Sequence, residues 1–411
     1  MQRLGLWYYI CLMLRIYFDH AATTPVDPRV QDAMRPYFAQ FFGNPSSILI
    51  EEGAEPRKAM DEARVKVARL LNAETEEIIF TASATESNNL AIKGLALANR
   101  NRGNRVLFSE IEHYSIMHQA DLLRTLGFEV DYVRVDPHGV VDLEDLKKKA
   151  TRETILVSIM HANLEIGTIE PLREIGLFLK ERAILLHSDG AGTCGQIPVD
   201  VEELLVDAMT FSGHQYYGPK GAAGLFLKKG VALRPFMQGG YQEMGYRAGT
   251  ENVPALVGLG QASRLAAEEM AERVERMTAL GQRLWKGIEK EIDYLHFTGH
   301  PTRRLPGHVS FWIEFVEGES LLLWLNLNGI ASASGSACAS NVLAADETGL
   351  KASHVLTAVG VPPEICHGSI TFTLGRENTE ADVDYALSTL PGIVEKLREM
   401  SPLYQRARGG K

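Results

Sequence analysis

The stretch "DAMTFSGHQYYGPKGAAGLF", residues 207–226, reads as a short apolar strand that ends in Ser212, Gly213 and His214 and continues through Gln215 into a Gly/Pro turn. Between about residues 74 and 235 the same pattern recurs in "EEIIFTA", "NRVLFSE", "ETILVSIMH" and "AILLHSD". Each run is apolar and β-rich, each ends in polar or small residues, and helical patterns separate them. Strands that are apolar throughout and divided by helices predict a buried, mostly parallel sheet of an α/β protein. In such sheets ligands bind beyond the carboxyl ends of the strands. That is where these polar residues fall.

With 411 residues, the chain is long enough for a large domain and a satellite. Residues 17–265 read as a large α/β domain and 266–400 as a smaller α+β domain. Residues 1–16 form an N-terminal extension, 401–411 a polar tail, and the N-terminal arm is expected on the smaller domain. In the second part Met270, Val274, Met277, Leu280, Leu284 and Ile288 make one helical stripe. "HVSFWIEF" alternates like a half-exposed strand, and "ESLLLWLNLNG" reads as a helix stopped by Gly329. A net charge of -10 argues against nucleic acid or an anionic membrane as partner. The apolar run at the N-terminus is too short for a membrane span. Four dispersed cysteines, with no CxxC pair, suggest a reducing, cytoplasmic setting and no zinc site.

The strand ends carry the chemistry. Ser83 and Glu86 form an S-x-x-E box opening a helix, whose free N–H groups at Ala84 and Thr85 make an anion cradle. Alone, this is a well-capped helix. Asp189 ends a buried strand, which suits either a turn cap or a carboxylate holding a ring nitrogen protonated, as a pyridoxal cofactor requires. Ser212 and His214 flank a glycine that lets backbone approach a ligand, and His113 ends another strand. Together these residues fit one phosphorylated aromatic cofactor. Further on, Cys338 sits in the small-residue loop "SASGSACAS", where a thiolate can be exposed and nucleophilic.

The stretches "YFDHAATTPVDPRV", "ATESNNLAIKG", "EHYSIMH", "HSDGAG", "SGHQYYGPKG", "YRAGTENVPALVG", "SGSACAS" and "TLGRENTEADVD" resemble the cysteine desulfurases of iron–sulfur assembly. These are fold-type-I pyridoxal-phosphate enzymes of the class V aminotransferase group, and the resemblance covers about residues 17–390. It implies a homodimer that takes sulfur from L-cysteine and serves an iron–sulfur scaffold protein. It also implies that Ala84, Thr85, Ser212 and His214 hold the cofactor phosphate, with Thr250 reaching across from the other subunit. By the same carry-over Asp189 faces the pyridine nitrogen, His113 stacks on the ring, and Cys338 takes the sulfur as a persulfide.

Four positions depart from the family pattern. Gln215 stands where the Schiff-base lysine is expected, and an amide supplies neither an imine nor acid–base chemistry. Leu164 and Gly192 replace the two polar contacts to the cofactor's phenolic oxygen, and Thr371 replaces the arginine that pairs with the substrate carboxylate. Arg376 lies near enough in sequence to be a substitute for that arginine. Ser83 and Tyr241 also stand where glycines are common. The expected result is a protein that binds pyridoxal 5'-phosphate at most non-covalently and has lost, or nearly lost, turnover. Two alternatives stand beside it. One is an active desulfurase using non-covalent cofactor or another lysine such as Lys220. The other is a non-catalytic persulfide relay or docking platform.

Overall fold

The computed structural model describes residues 15–334, 353–362 and 369–409. In chain order its strands are β1 (Ile16–Tyr17), β2 (Ile78–Thr81), β3 (Arg105–Ser109), β4 (Glu129–Val133), β5 (Thr154–Ser158), β6 (Leu185–Asp189), β7 (Ala208–Ser212), β8 (Ala223–Leu227), β9 (Leu295–Phe297), β10 (His308–Ile313), β11 (Ile330–Ala331) and β12 (Ser369–Thr373). The central sheet has seven strands in the order β2-β8-β7-β6-β5-β3-β4. All its pairings are parallel except those of β8, which runs antiparallel to both β7 and β2. Two reversals leave β2 parallel to β7, so β2, β3, β5, β6 and β7 all end at one edge. The five apolar runs of the sequence therefore deliver Thr81, Ser109, Ser158, Asp189 and Ser212 to that edge. The sequence reading lacked β4 and β8, whose "EVDYV" and "AGLFL" are short and lie next to turns.

Both faces of this sheet are covered, which is why its strands carry no alternation. Leu107, Val157, Leu186, Met209 and Phe211 pack against the Glu51–Leu71, Leu172–Lys180 and Val253–Glu291 helices. On the opposite face Ile79, Val106, Phe108 and Leu225 pack against Leu90, Ala91 and Leu95 of the Ala84–Ala98 helix. A second core forms around a three-stranded antiparallel sheet of order β12-β10-β9, with Phe18, Leu284, Phe311, Leu321 and Phe372 at its centre. The Val253–Glu291 helix serves both cores without a break: Leu256 and Leu259 join the first, Leu280, Leu284 and Ile288 the second. Strand β1 pairs with β11, and Asp19 bridges to Thr373 in β12, so the N-terminal arm is stitched to the second sheet.

Strand β10 differs from the half-exposed strand expected at "HVSFWIEF". All its residues are buried except Trp312, which is partly exposed. The polar face is covered because Ser310 Oγ donates to the Ile166 carbonyl at 3.2 Å and His308 Nε2 to the Leu164 carbonyl at 2.9 Å. The second sheet is thereby docked onto the 163–167 loop that ends at the functional edge. Among the described residues no helix is long and apolar enough to cross a membrane.

Candidate functional site

Asp189 enters the edge with its carboxylate already positioned. Its Oδ2 accepts from Asn88 Nδ2 at 2.7 Å and its Oδ1 from the Ala191 N–H at 3.0 Å. Asn88 Nδ2 also donates to Ser115 Oγ at 2.8 Å, and Ser115 Oγ lies 2.8 Å from His113 Nδ1. That nitrogen accepts the Ser115 N–H at 3.1 Å, which leaves the neutral ring's proton on Nε2. A continuous chain of hydrogen bonds thus ties the expected ring-nitrogen partner to the expected stacking residue, whose ring is exposed. Asn88 and Ser115 were missed in the sequence. Asn88 lies one turn beyond Ala84 on the same helix, and that spacing was the available signal. Beside them Glu112 is fully buried, its Oε1 accepting from Met160 N at 2.6 Å. Burial and the charge of Asp189 push its pKa well above the ordinary carboxylate range.

The phosphate end is polar and largely unpartnered. Ser83 Oγ accepts the Glu86 N–H at 3.1 Å, but the capping box is not closed. Glu86 instead accepts from Ala82 N at 2.9 Å and from Arg247 Nε at 2.8 Å. The Ala84 and Thr85 N–H groups have no acceptor among the described residues, and Thr85 is exposed. Ser212 Oγ is buried and has no partner among the described residues. His214 is tied down by Thr23 and Thr24: Thr24 N–H and Oγ1 both donate to its carbonyl, and its Nδ1 sits 3.2 Å from Thr23 Oγ1. Burial first, and Lys220 second, lower its pKa and favour the neutral ring. Thr250 is exposed, as is Lys220. The loop that bears Thr250 is fixed by a buried ion pair in which Arg64 meets both Glu243 oxygens at 2.7 Å. Glu243 and Met244 hold positive φ of 48° and 57°, and Glu243 Oε2 also accepts from Phe80 N at 2.7 Å.

The ring end is built from different material. Leu164, Gly192 and Gln215 line one cavity together with His20, Gln196 and His308. The Leu164 side chain occupies the space over Gly192: a Cβ there would lie 2.7 Å from Leu164 Cδ2 and 2.9 Å from Cγ. Gln215 is 8 % exposed. Its carbonyl accepts from Gln196 Nε2, while its side-chain amide has no partner among the described residues. Burial pushes the His308 pKa down to about 3, so its ring is neutral.

Thr371 lies at the neighbouring edge, and its Oγ1 donates to the Glu165 carbonyl at 3.0 Å. Its hydroxyl therefore braces the 163–167 loop. Arg376, the residue offered in the sequence as a substitute carboxylate partner, is engaged elsewhere. It pairs with Asp27, donates to Glu377 at 2.6 Å and covers the Tyr217 ring at 4.2 Å. Cys338 lies outside the described residues.

The edge geometry and the paired sheets define a fold-type-I pyridoxal-phosphate protein. Residues 16–386 match the family described as aminotransferase class-V. The chain is 46% identical over 390 residues to cysteine desulfurase IscS of Dictyoglomus turgidum, covering 95% of this chain and 97% of the relative. It is 48% identical over 388 residues to cysteine desulfurase IscS of Methanosarcina thermophila, 94% of each chain being covered. Among solved structures, a NifS-like protein superposes with a TM-score of 0.85 at 37% identity, covering 93% of this chain and 99% of that one. The NifS-like protein of Rickettsia africae gives 0.82 at 30% identity, with 93% and 99% covered. The chain belongs to the aminotransferase class-V family, and its cysteine desulfurase relatives imply pyridoxal 5'-phosphate as cofactor.

The residues present fit that group at one end. The orphaned Ser212 hydroxyl and the free N–H groups of Ala84 and Thr85 suit a phosphate. The oriented Asp189 suits a protonated ring nitrogen.

Proposed function

We propose that this chain is a cysteine-desulfurase-type protein of sulfur transfer that holds pyridoxal 5'-phosphate non-covalently. In this reading its conversion of L-cysteine to L-alanine and enzyme persulfide is strongly impaired. Bound cofactor supplies an electron sink for charge at the substrate Cα. Ala84, Thr85, Ser212 and His214 hold its phosphate, with Thr250 contributed by the second subunit of a homodimer. Asp189 keeps the ring nitrogen protonated, and His113 covers the ring. Proton movement at Cα then needs a group with an accessible pKa, and the residue at that place is an amide. The observation that carries the reading is the shared cavity wall of Leu164, Gly192 and Gln215.

A second reading, an active cysteine desulfurase, is favoured by similarity to cysteine desulfurases over nearly the full chain. It runs through non-covalent cofactor, or through Lys220. On either reading Cys338 is the persulfide-bearing residue, an iron–sulfur scaffold is the acceptor and the setting is cytoplasmic. Residues 17–265 form the cofactor domain and residues 266–400 the domain that carries Cys338.

The deciding experiment measures alanine released from L-cysteine with added pyridoxal phosphate, in the native chain and in Gln215→Lys. Restoration by Gln215→Lys of at least a hundredfold supports the first reading. Native turnover at the level of a lysine-bearing relative overturns it, and a borohydride-labelled Lys220 would then assign the amine.

A further inference from the structure

We propose that this pocket selects the amine form of the cofactor, pyridoxamine 5'-phosphate, over the aldehyde. The inference rests on the cofactor site described above and concerns what occupies its ring end.

Gln215 is more than nine-tenths buried, lines the cavity, and leaves its side-chain amide without a partner among the described residues. Its backbone carbonyl is already engaged by Gln196. With no protein partner, the amide oxygen and NH2 are free to bond a ligand in the cavity. Among the described residues lining the cavity none is a lysine or an arginine. His20 donates through Nδ1 to the Thr373 carbonyl, and His308 through Nε2 to the Leu164 carbonyl. Neither ring therefore turns a cation toward the ligand.

Two consequences follow for the substituent on the cofactor's C4' carbon. An aldehyde finds no amine in the wall, so it loses the covalent bond that would otherwise anchor it. It keeps only a neutral hydrogen bond from the Gln215 NH2. An ammonium finds the Gln215 Oε1 as acceptor and makes a charge-assisted bond, the stronger kind. It also escapes the repulsion that a lysine at this position would impose. Leu164 over Gly192 offers no donor to the neighbouring phenolic oxygen in either form, so that contact does not discriminate.

The test titrates the full-length, ligand-stripped protein by calorimetry with pyridoxamine phosphate, pyridoxal phosphate and 4'-deoxypyridoxine phosphate. We expect pyridoxamine phosphate to bind roughly tenfold more tightly than the other two, a difference of about 1.4 kcal/mol. Gln215→Leu should erase that preference, and Gln215→Glu, which keeps the acceptor and adds charge, should enlarge it. Melting curves of both variants establish that they are folded. If Gln215→Leu does not fold, Gln215→Glu alone decides, and an unchanged ratio in it overturns the proposal. Equal or tighter binding of pyridoxal phosphate overturns the proposal while leaving the cofactor site in place. If none of the three ligands binds, the cofactor site itself is wrong and both statements fall.

Discussion

At the helix end of the pocket, Ala84, Thr85 and Ser212 present N–H and hydroxyl groups that the protein leaves unpaired, whereas at the ring end Leu164 closes over Gly192 and fills the wall with hydrocarbon. The two ends share one sheet edge and one set of helices, so the difference is not a general loosening of the fold. A buried hydroxyl without a partner, such as that of Ser212, is costly to keep in an unused site, and the helix N–H groups beside it are open to an anion. Their presence at one end argues for a phosphate that still binds there. At the other end the Leu164 side chain lies over Gly192, and the wall there is mostly hydrocarbon. On the proposed function, this contrast is what a pocket that binds its cofactor without efficient turnover would show.

The helix end depends on the loop that carries Arg247 and Thr250, and the largest stability effect is expected there. Glu243→Ala leaves Arg64 buried without its carboxylate and frees two consecutive left-handed residues, which should cost about 3–5 kcal/mol. Urea unfolding measures the loss, and phosphate-ligand affinity should fall with it. A stable Glu243→Ala protein would mean that the loop is not what fixes this end.

Next in size is the Leu164–Gly192 contact. Gly192→Gln alone forces a Cβ to 2.7 Å from Leu164 and should destabilise by about 1–3 kcal/mol. Adding Leu164→Asn should recover most of that loss, giving a coupling of about 0.5–3 kcal/mol in a double-mutant cycle. Additive effects would show that the two positions are not energetically coupled. Gly192→Gln is therefore expected to need Leu164→Asn beside it before the glutamine side chain can be accommodated.

The 161–170 segment should also carry pH sensitivity. Glu170, at the end of the 161–170 segment, is pushed by burial to about 8, against an ordinary 4.5. Its folded pKa is raised, so its contribution is complete below about 4.5 and is lost as pH rises through about 8. The unfolding midpoint should therefore drop between pH 5 and pH 8, and Glu170→Gln should flatten that drop. An identical pH profile in the variant would place the sensitivity elsewhere, with Glu165, also pushed by burial to about 8, the next carboxyl to examine.

Much of the helix end was legible in the sequence, because it rests on local grammar. A strand ending in Ser-Gly-His and a helix opening at Ser83 can be read from neighbouring residues. So could the five core strands, since burial on both faces leaves a continuous apolar run. What could not be read was long-range. The Asp189–Asn88 bond spans 101 residues and the Asn88–Ser115 bond 27, and only the last step, Ser115 to His113, is local. The steric fit of Leu164 to Gly192 joins residues with no pattern between them. Strand β10 looked half-exposed because its polar residues alternate, yet their partners are carbonyls of the 163–167 loop. Arg376 looked available by sequence distance alone, but Asp27 and Tyr217 hold it.

The smallest predicted effect is the most direct probe of the contrast between the two ends. Ser212 Oγ is buried with no partner, so without ligand Ser212→Ala should leave stability unchanged or slightly raised. With a phosphate ligand the same change removes one hydrogen bond, worth about 1 kcal/mol, and should weaken binding roughly fivefold. Inorganic phosphate and the full cofactor should lose affinity by the same factor, because the contact belongs to the phosphate alone. If Ser212→Ala instead destabilises the ligand-free protein and leaves phosphate affinity untouched, the hydroxyl is structural. The unpaired groups at the helix end would then no longer argue for a retained ligand.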